Sequence, residues 1–218
     1  MTTNMPHTYS ILAVDRDGTL LKLVPDAKKK DFAGRPPAHS REVALYPGAA
    51  DLLKRAQELG IVIMILSNQG GLNETLDGKL FSNWQAITRS QFEEIHEAFL
   101  DALRVAGVNI SSLGIDYCPH SMRLDPPCLC RKPALGKPGG IGMFERMAQR
   151  FGLSAVPRES VAIIGDGIAD YQFARNLGGA FYLVDTGHYR ATQEEVLRAT
   201  GEKLTPISLD TFSCEVLR

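Results

Sequence analysis

The sequence has no long apolar run. Its longest uninterrupted stretch, IVIMIL at Ile61 to Leu66, is far too short to cross a bilayer. Nor is there a surplus of either charge: 24 Lys and Arg against 25 Asp and Glu leave a formal net charge of −1. That balance gives no long-range pull toward nucleic acid or an anionic membrane, although it is compatible with a local basic pocket. The opening residues, MTTNMPHTYS, lack the basic-then-apolar pattern of a signal peptide, so a soluble protein in the cytoplasm is expected. Internal repeats and low-complexity blocks are missing, and so is a G-x-x-x-x-G-K-[ST] loop, which argues against a P-loop kinase. What remains is an ordinary globular composition over 218 residues, 44% hydrophobic and 22% charged. One domain spanning 1–218 is the expectation, with a C-terminal tail from about residue 201.

Three short apolar runs read as buried strands: ILAV (Ile11 to Val14), IVIMIL and VAII (Val161 to Ile164); AFYLV (Ala180 to Val184) reads as a fourth. Helical patterns lie between them. PGAADLLKRAQELG places Leu52, Leu53, Ala56 and Leu59 on one face and closes at Gly60. A longer helix is predicted from a capping box at Ser90-x-x-Glu93, turning Phe92, Ile95, Phe99, Leu103 and Ala106 inward and stopping at Gly107. IGMFERMAQRFG repeats apolar positions at Ile141, Phe144, Met147 and Phe151. Strands alternating with helices predict an α/β fold, a doubly wound parallel sheet with helices on both faces.

Each of three strands runs into polar chemistry. ILAV ends in Asp15-Arg16-Asp17, IVIMIL in Ser67-Asn68-Gln69, and VAII in Gly165-Asp166. In open α/β sheets the ligand crevice lies at the carboxyl ends of the strands, so these groups converge. Asp15 and Asp17 point the same way from extended backbone, and Asp166 adds a third hard oxygen ligand suited to Mg²⁺. Asp170, one helical turn further on, can orient the others. Ser67 and Lys132 offer a hydroxyl and an ammonium to phosphate oxygens. The set describes a phosphoryl-transfer site.

In this order, DRDGTL, SNQGG, RKP and IGDGIAD resemble the four motifs of the haloacid dehalogenase-like (HAD) phosphatases, over about Ser10 to Tyr189. The resemblance implies a HAD-like Rossmannoid fold without a large cap domain. It implies Asp15 as the nucleophile that becomes an aspartyl-phosphate, and Asp17 as the general acid and base. Ser67 and Lys132 would stabilise the phosphoryl group, Asn68 and Gln69 would border the substrate, and Mg²⁺ would be bound by Asp15, Asp17 through its carbonyl, and Asp166.

Three of the four cysteines cluster. Cys118-x-His120 and Cys128-x-Cys130 together make a complete tetrahedral set for a structural Zn²⁺, with no position left open for catalysis. In this loop, about residues 117–131, Cys130 lies two residues before Lys132, and there is too little apolar content to hold the shape by burial. Cys214 stands apart and reads as a partly buried thiol. The C-x-H…C-x-C-R-K-P arrangement is similar to the branch with heptose bisphosphate 7-phosphatases and histidinol phosphatases, in which Arg131 would help recognise the substrate.

The expected substrate is therefore a small phosphorylated metabolite, foremost D-glycero-D-manno-heptose 1,7-bisphosphate. Histidinol phosphate is the alternative. A polynucleotide 3′-phosphatase shares similar SNQ and RKP motifs but would need a basic stripe that is not visible. A non-catalytic phosphate-binding module would have lost one of the chemical residues, and all are present. Three segments, at about 22–45, 72–85 and 134–140, exceed the compact pattern; they are expected at the rim, with Phe81 and Trp84 as contacts. The oligomeric state is open, with a monomer compatible.

Overall fold

In the computed structural model, which describes residues 9–25, 34–83 and 85–217, the apolar runs become the middle of a five-stranded sheet. Its strands are β1 (Ile11–Val14), β2 (Val62–Asn68), β3 (Leu113–Cys118), β4 (Val161–Gly165) and β5 (Ala180–Leu183). They are ordered β3-β2-β1-β4-β5, and every pairing is parallel. Ala13 of β1 lies opposite Met64 on one side and Ile163 on the other. Because β2 and β4 flank β1, the connections diverge to opposite sides of it, and a crevice opens at the carboxyl ends of β1 and β4.

Alternation along the strands serves both faces. Leu12, Val14, Ile63, Ile65 and Ile164 meet Leu52, Leu53 and Ala56 of α1 (Ala49–Glu58) and Phe99 and Leu103 of α2 (Arg89–Val105). Ile11, Ala13, Met64, Leu66 and Ile163 meet Phe144 and Met147 of α3 (Gly142–Arg150) and Phe173 and Leu177 of α4 (Ile168–Leu177). Each fully buried aliphatic or aromatic side chain contributes about 1.5–3 kcal/mol, so two such layers suffice to hold the central strands. Val196 of α5 (Tyr189–Thr200) joins Tyr171, Leu183 and Leu204 in a smaller cluster at the β5 side.

The segment expected as a tail is folded into this core. Ile207 pairs beside Val184, donating to the Leu183 carbonyl at 2.9 Å and accepting from Asp185 N at 3.1 Å, and so covers the outer edge of β5. Leu209, Phe212 and Leu217 then enter the layer under α1. The Tyr182 ring lies edge-on to Phe212 at 4.8 Å, and its hydroxyl is 2.5 Å from that of Tyr9.

Some local expectations are corrected. The α2 cap is two residues earlier: Thr88 Oγ1 accepts from Gln91 N at 3.2 Å, and Gln91 Oε1 accepts from Thr88 N at 2.8 Å. Thr88 has the extended backbone a cap requires, whereas Ser90 is already helical. Leu59 is 39% exposed at the end of α1, and Ala49 takes the buried place instead. Strand β3, LGIDYC, carries a Gly and an Asp and had no apolar signature to announce it. Trp84, the Lys28 to Lys30 run and the Cys214 side chain lie outside the described residues.

Candidate active site

Asp15 follows β1 directly and is anchored by its N–H to the Ile164 carbonyl at 2.9 Å. Lys132 reaches it from the loop after the cysteines. The ammonium, only 3% exposed, donates to Asp15 Oδ1, to Asp170 Oδ1 and, at 2.8 Å, to the Leu66 carbonyl, which uses all three of its protons. Burial opposes that charge, yet the two carboxylates raise the Lys132 pKa above the ordinary lysine value. Burial also pushes Asp15 well above the carboxylate range, against the pull of Lys132.

Asp166, at the end of β4, accepts from Thr19 Oγ1 at 3.1 Å and from His188 N at 2.6 Å. Burial, then the neighbouring Asp170, raises its pKa to about 7. The turn after Asp17 passes so close that only Gly18 fits: its φ is +89°, and a Cβ there would overlap the Asp166 carboxyl. Asp170 caps α4 by accepting from Gly167 N at 3.2 Å while it pairs with Lys132.

Ligand oxygens of Asp15, Asp166 and Asp170 all lie within 4.8 Å of one another. Three buried acids gather beside one ammonium that pairs with two of them, an excess of negative charge that a hard divalent cation such as Mg²⁺ fits. Asp170 therefore belongs to the cluster, a point the sequence left open. The Asp17 carboxyl lies outside it. Arg16 grips that carboxyl with Nε to Oδ1 at 3.0 Å and Nη2 to Oδ2 at 2.9 Å, and its own guanidinium is buried over the Phe92 ring at 5.4 Å.

Ser67 and Gln69 come from the end of β2. Gln69 Nε2 donates to Asp17 Oδ2 at 2.6 Å and to Ser67 Oγ at 2.8 Å, leaving the Ser67 proton available to an incoming oxygen. Asn68, expected at the substrate, is committed elsewhere. Its Oδ1 accepts from Lys132 N at 2.9 Å and its Nδ2 donates to the Lys132 carbonyl at 3.0 Å. It is a clamp on the lysine backbone.

The cysteine loop closes as its spacing predicts. His120 Nδ1 is 2.9, 3.3 and 3.4 Å from the sulfurs of Cys128, Cys130 and Cys118, and the sulfurs are 2.6–3.9 Å apart. All four ligand atoms lie within 4.8 Å of one another, a donor set and a closeness that suit a closed tetrahedral Zn²⁺ site. Arg131 Nη1 donates to the His120 carbonyl at 3.3 Å and would be 2.9 Å from a Cβ at position 70, so the Gly-Gly turn of SNQGG makes room for its guanidinium.

Two of the extra segments are fastened to the scaffold. Residues 134–140 are pinned to α4: Gly136 N donates to Gln172 at 2.7 Å, and Asn176 donates to the carbonyls of Lys137 and Gly139. The 72–85 segment pairs with the cysteine loop, and Phe81 on it is 38% exposed. Sequence reasoning missed Arg16, Thr19 and the His188 N–H. Arg16 was visible as a charge inside an apolar-flanked motif, whereas a backbone donor has no residue type to betray it.

A family model described as HAD-hydrolase-like matches residues 134–206. The chain is 32% identical over 174 residues to the probable D-glycero-D-manno-heptose-1,7-bisphosphate 7-phosphatase of Thermoplasma volcanium, covering 79% of this chain and 97% of that one. It is 27% identical over 178 residues to the histidine biosynthesis bifunctional protein HisB of Legionella pneumophila, covering 82% of this chain but 42% of that longer protein. Among solved structures, the D,D-heptose 1,7-bisphosphate phosphatase from B. bronchiseptica, in complex with magnesium and phosphate, has the same fold. It gives a TM-score of 0.68 at 24% identity, over 95% of this chain and 98% of that one.

Proposed function

The chain belongs to the HAD-like phosphatases, and we propose that it is a Mg²⁺-dependent phosphomonoesterase of a small sugar bisphosphate, foremost D-glycero-D-manno-heptose 1,7-bisphosphate. The observation that carries the mechanism is the convergence of Asp15, Lys132, Asp166 and Asp170 at one crevice, with Ser67 linked through Gln69 to Asp17. The Thermoplasma relative supports the substrate. The HisB match keeps histidinol phosphate as the second reading.

Asp15 attacks phosphorus, its Oδ forming the new bond as the ester oxygen leaves, and Asp17 delivers a proton to that oxygen. Asp17 then takes a proton from water, which cleaves the aspartyl-phosphate and returns free phosphate. Lys132 and the Ser67 hydroxyl compensate the charge on the transferring oxygens. Bound by Asp15, Asp166 and the Asp17 carbonyl, Mg²⁺ would neutralise the repulsion between phosphate and carboxylates, and Asp170 supports the cluster through Lys132. Cys118, His120, Cys128 and Cys130 would hold a structural Zn²⁺ and thereby fix the loop that presents Arg131 to the substrate's second anionic group. Among the described residues no helix is long and apolar enough to cross a membrane.

The test is phosphate release with Mg²⁺ from heptose 1,7-bisphosphate, histidinol phosphate and a 3′-phosphorylated oligonucleotide, with Asp15→Asn as control. Fastest release from the heptose, lost in the variant, is expected. Faster release from histidinol phosphate would replace the substrate. Release that survives Asp15→Asn would overturn the mechanism.

A further inference from the structure

The insertion at 72–85 has no part in the chemistry above, yet its one buried acid sits against the metal-binding loop. We propose that Glu74 and its partner Arg89 are positioning residues for that loop, holding His120 and the Tyr117–Cys118 step in register. This inference rests on the zinc reading given above.

Two backbone bonds straddle His120. Glu74 N donates to the Pro119 carbonyl at 3.1 Å, and the Glu74 carbonyl accepts from Ser121 N at 2.9 Å. Arg131 already donates to the carbonyl of His120, so the residue is gripped through its own carbonyl and through both of its chain neighbours. The Glu74 side chain is buried, and Arg89 Nη2 lies 2.5 Å from both of its oxygens. Arg89 Nη1 donates to Tyr117 Oη at 2.9 Å, one residue before Cys118, and Tyr117 packs on Phe92 of α2 at 4.4 Å.

The position of Arg89 is itself informative. It opens α2, where no acidic residue stands in the first turn and where the helix dipole disfavours a cation. A cation stands there although a neutral residue would suit the helix better. What it gains is a fork that joins the insertion, the end of β3 and the start of α2. The insertion has its own turn to stiffen it: Glu74 pairs antiparallel with Leu80, and Thr75 N donates to the Lys79 carbonyl at 2.7 Å. The whole forms a brace around the ligands rather than a loose rim loop. Groups that orient metal ligands from outside the coordination sphere typically change metal affinity by about 10–100-fold when removed.

The experiment follows zinc release from the zinc-loaded protein into excess chromogenic chelator, with the melting temperature measured on the same samples. Glu74→Gln should release zinc about tenfold faster than the unaltered protein. Arg89→Lys, which keeps the charge but not the fork, should fall between the two, and it carries the test should Glu74→Gln fail to fold. Arg35→Leu is the control, because it removes an arginine–carboxylate pair, with Glu42, in the 22–45 segment. It should release at the unaltered rate. Release from Glu74→Gln and Arg89→Lys at the unaltered rate would overturn the brace, as would equal acceleration by Arg35→Leu, which would mark general destabilisation. An unaltered protein that takes up no zinc would overturn the zinc reading itself, and this shows before any variant is made.

Discussion

The carboxylate crevice and the cysteine loop both gather charged or ionisable ligands around one point, but they are positioned by opposite means. The crevice draws Asp15, Lys132, Asp166 and Asp170 from segments far apart in the chain, each fixed by a strand end, a helix start or a backbone clamp. All four ligands of the loop fall within 13 residues, in a stretch that is mostly without regular structure. In the first, the sheet sets the geometry. In the second, the ligands come from one short stretch that starts at the end of β3, buries Cys118 and Cys130 and is otherwise poor in apolar content, so a bound cation would add to its order.

The sharpest break of that contrast is Asp15→Asn. Turnover should fall on the order of 10⁴-fold or more, measured as phosphate release. Stability should hold or rise, because burial already works against the Asp15 charge and the amide removes it. Lys132→Met does the reverse and leaves two buried carboxylates without their cation. We expect a loss of about 3–5 kcal/mol in denaturant unfolding together with loss of activity. An unchanged midpoint would mean that the crevice does not depend on this ion pair.

Metal removal separates the two regions directly. Omitting Mg²⁺ should abolish turnover and move the melting temperature little. Stripping zinc with a strong chelator and restoring Mg²⁺ should lower the melting temperature, by about 2–4 °C per kcal/mol lost, without restoring activity. Equal melting temperatures with and without zinc would contradict the division of labour. Asn68→Ala removes two hydrogen bonds from the Lys132 backbone, and kcat should fall about tenfold with zinc content unchanged.

The smallest effect is one of pH. The folded-state pKa of Asp166, about 7 through burial and then Asp170, lies above that of a free carboxylate. Its contribution to the stability of the metal-free protein is thus greatest below the ordinary carboxylate range and is lost as pH rises toward 7. Mg²⁺ needs the ionised form, so its binding should release a proton near neutrality. Calorimetry in two buffers of different ionisation enthalpy reads that proton; identical heats in both would refute it.

Much of this was legible because the motifs end strands. ILAV, IVIMIL and VAII announced where Asp15, Ser67 and Asp166 would meet, and the C-x-H and C-x-C pairs announced the loop. Three things were not. β3 contains Gly114 and Asp116, which break the apolar run that would announce it, although Leu113 and Ile115 pack into the core beside β2. The clamp of Asn68 on Lys132 joins residues 64 positions apart, a relation that local spacing cannot express. The cap at Thr88 competed with an equally plausible box two residues later, and only backbone conformation separates them.

The seating of residues 204–217 bears on how the protein is made. Strand β1 is synthesised before residues 204–217, yet the layer on one face of it is completed by Leu209, Phe212 and Leu217, and among the described residues Ile207 covers the edge of β5. During synthesis the sheet therefore waits with apolar surface and an unpaired strand edge in water, the condition under which nascent chains associate with one another. Final closure waits for residues 204–217 to be made, and a ribosome stalled before residue 204 would hold a chain that cannot finish its core.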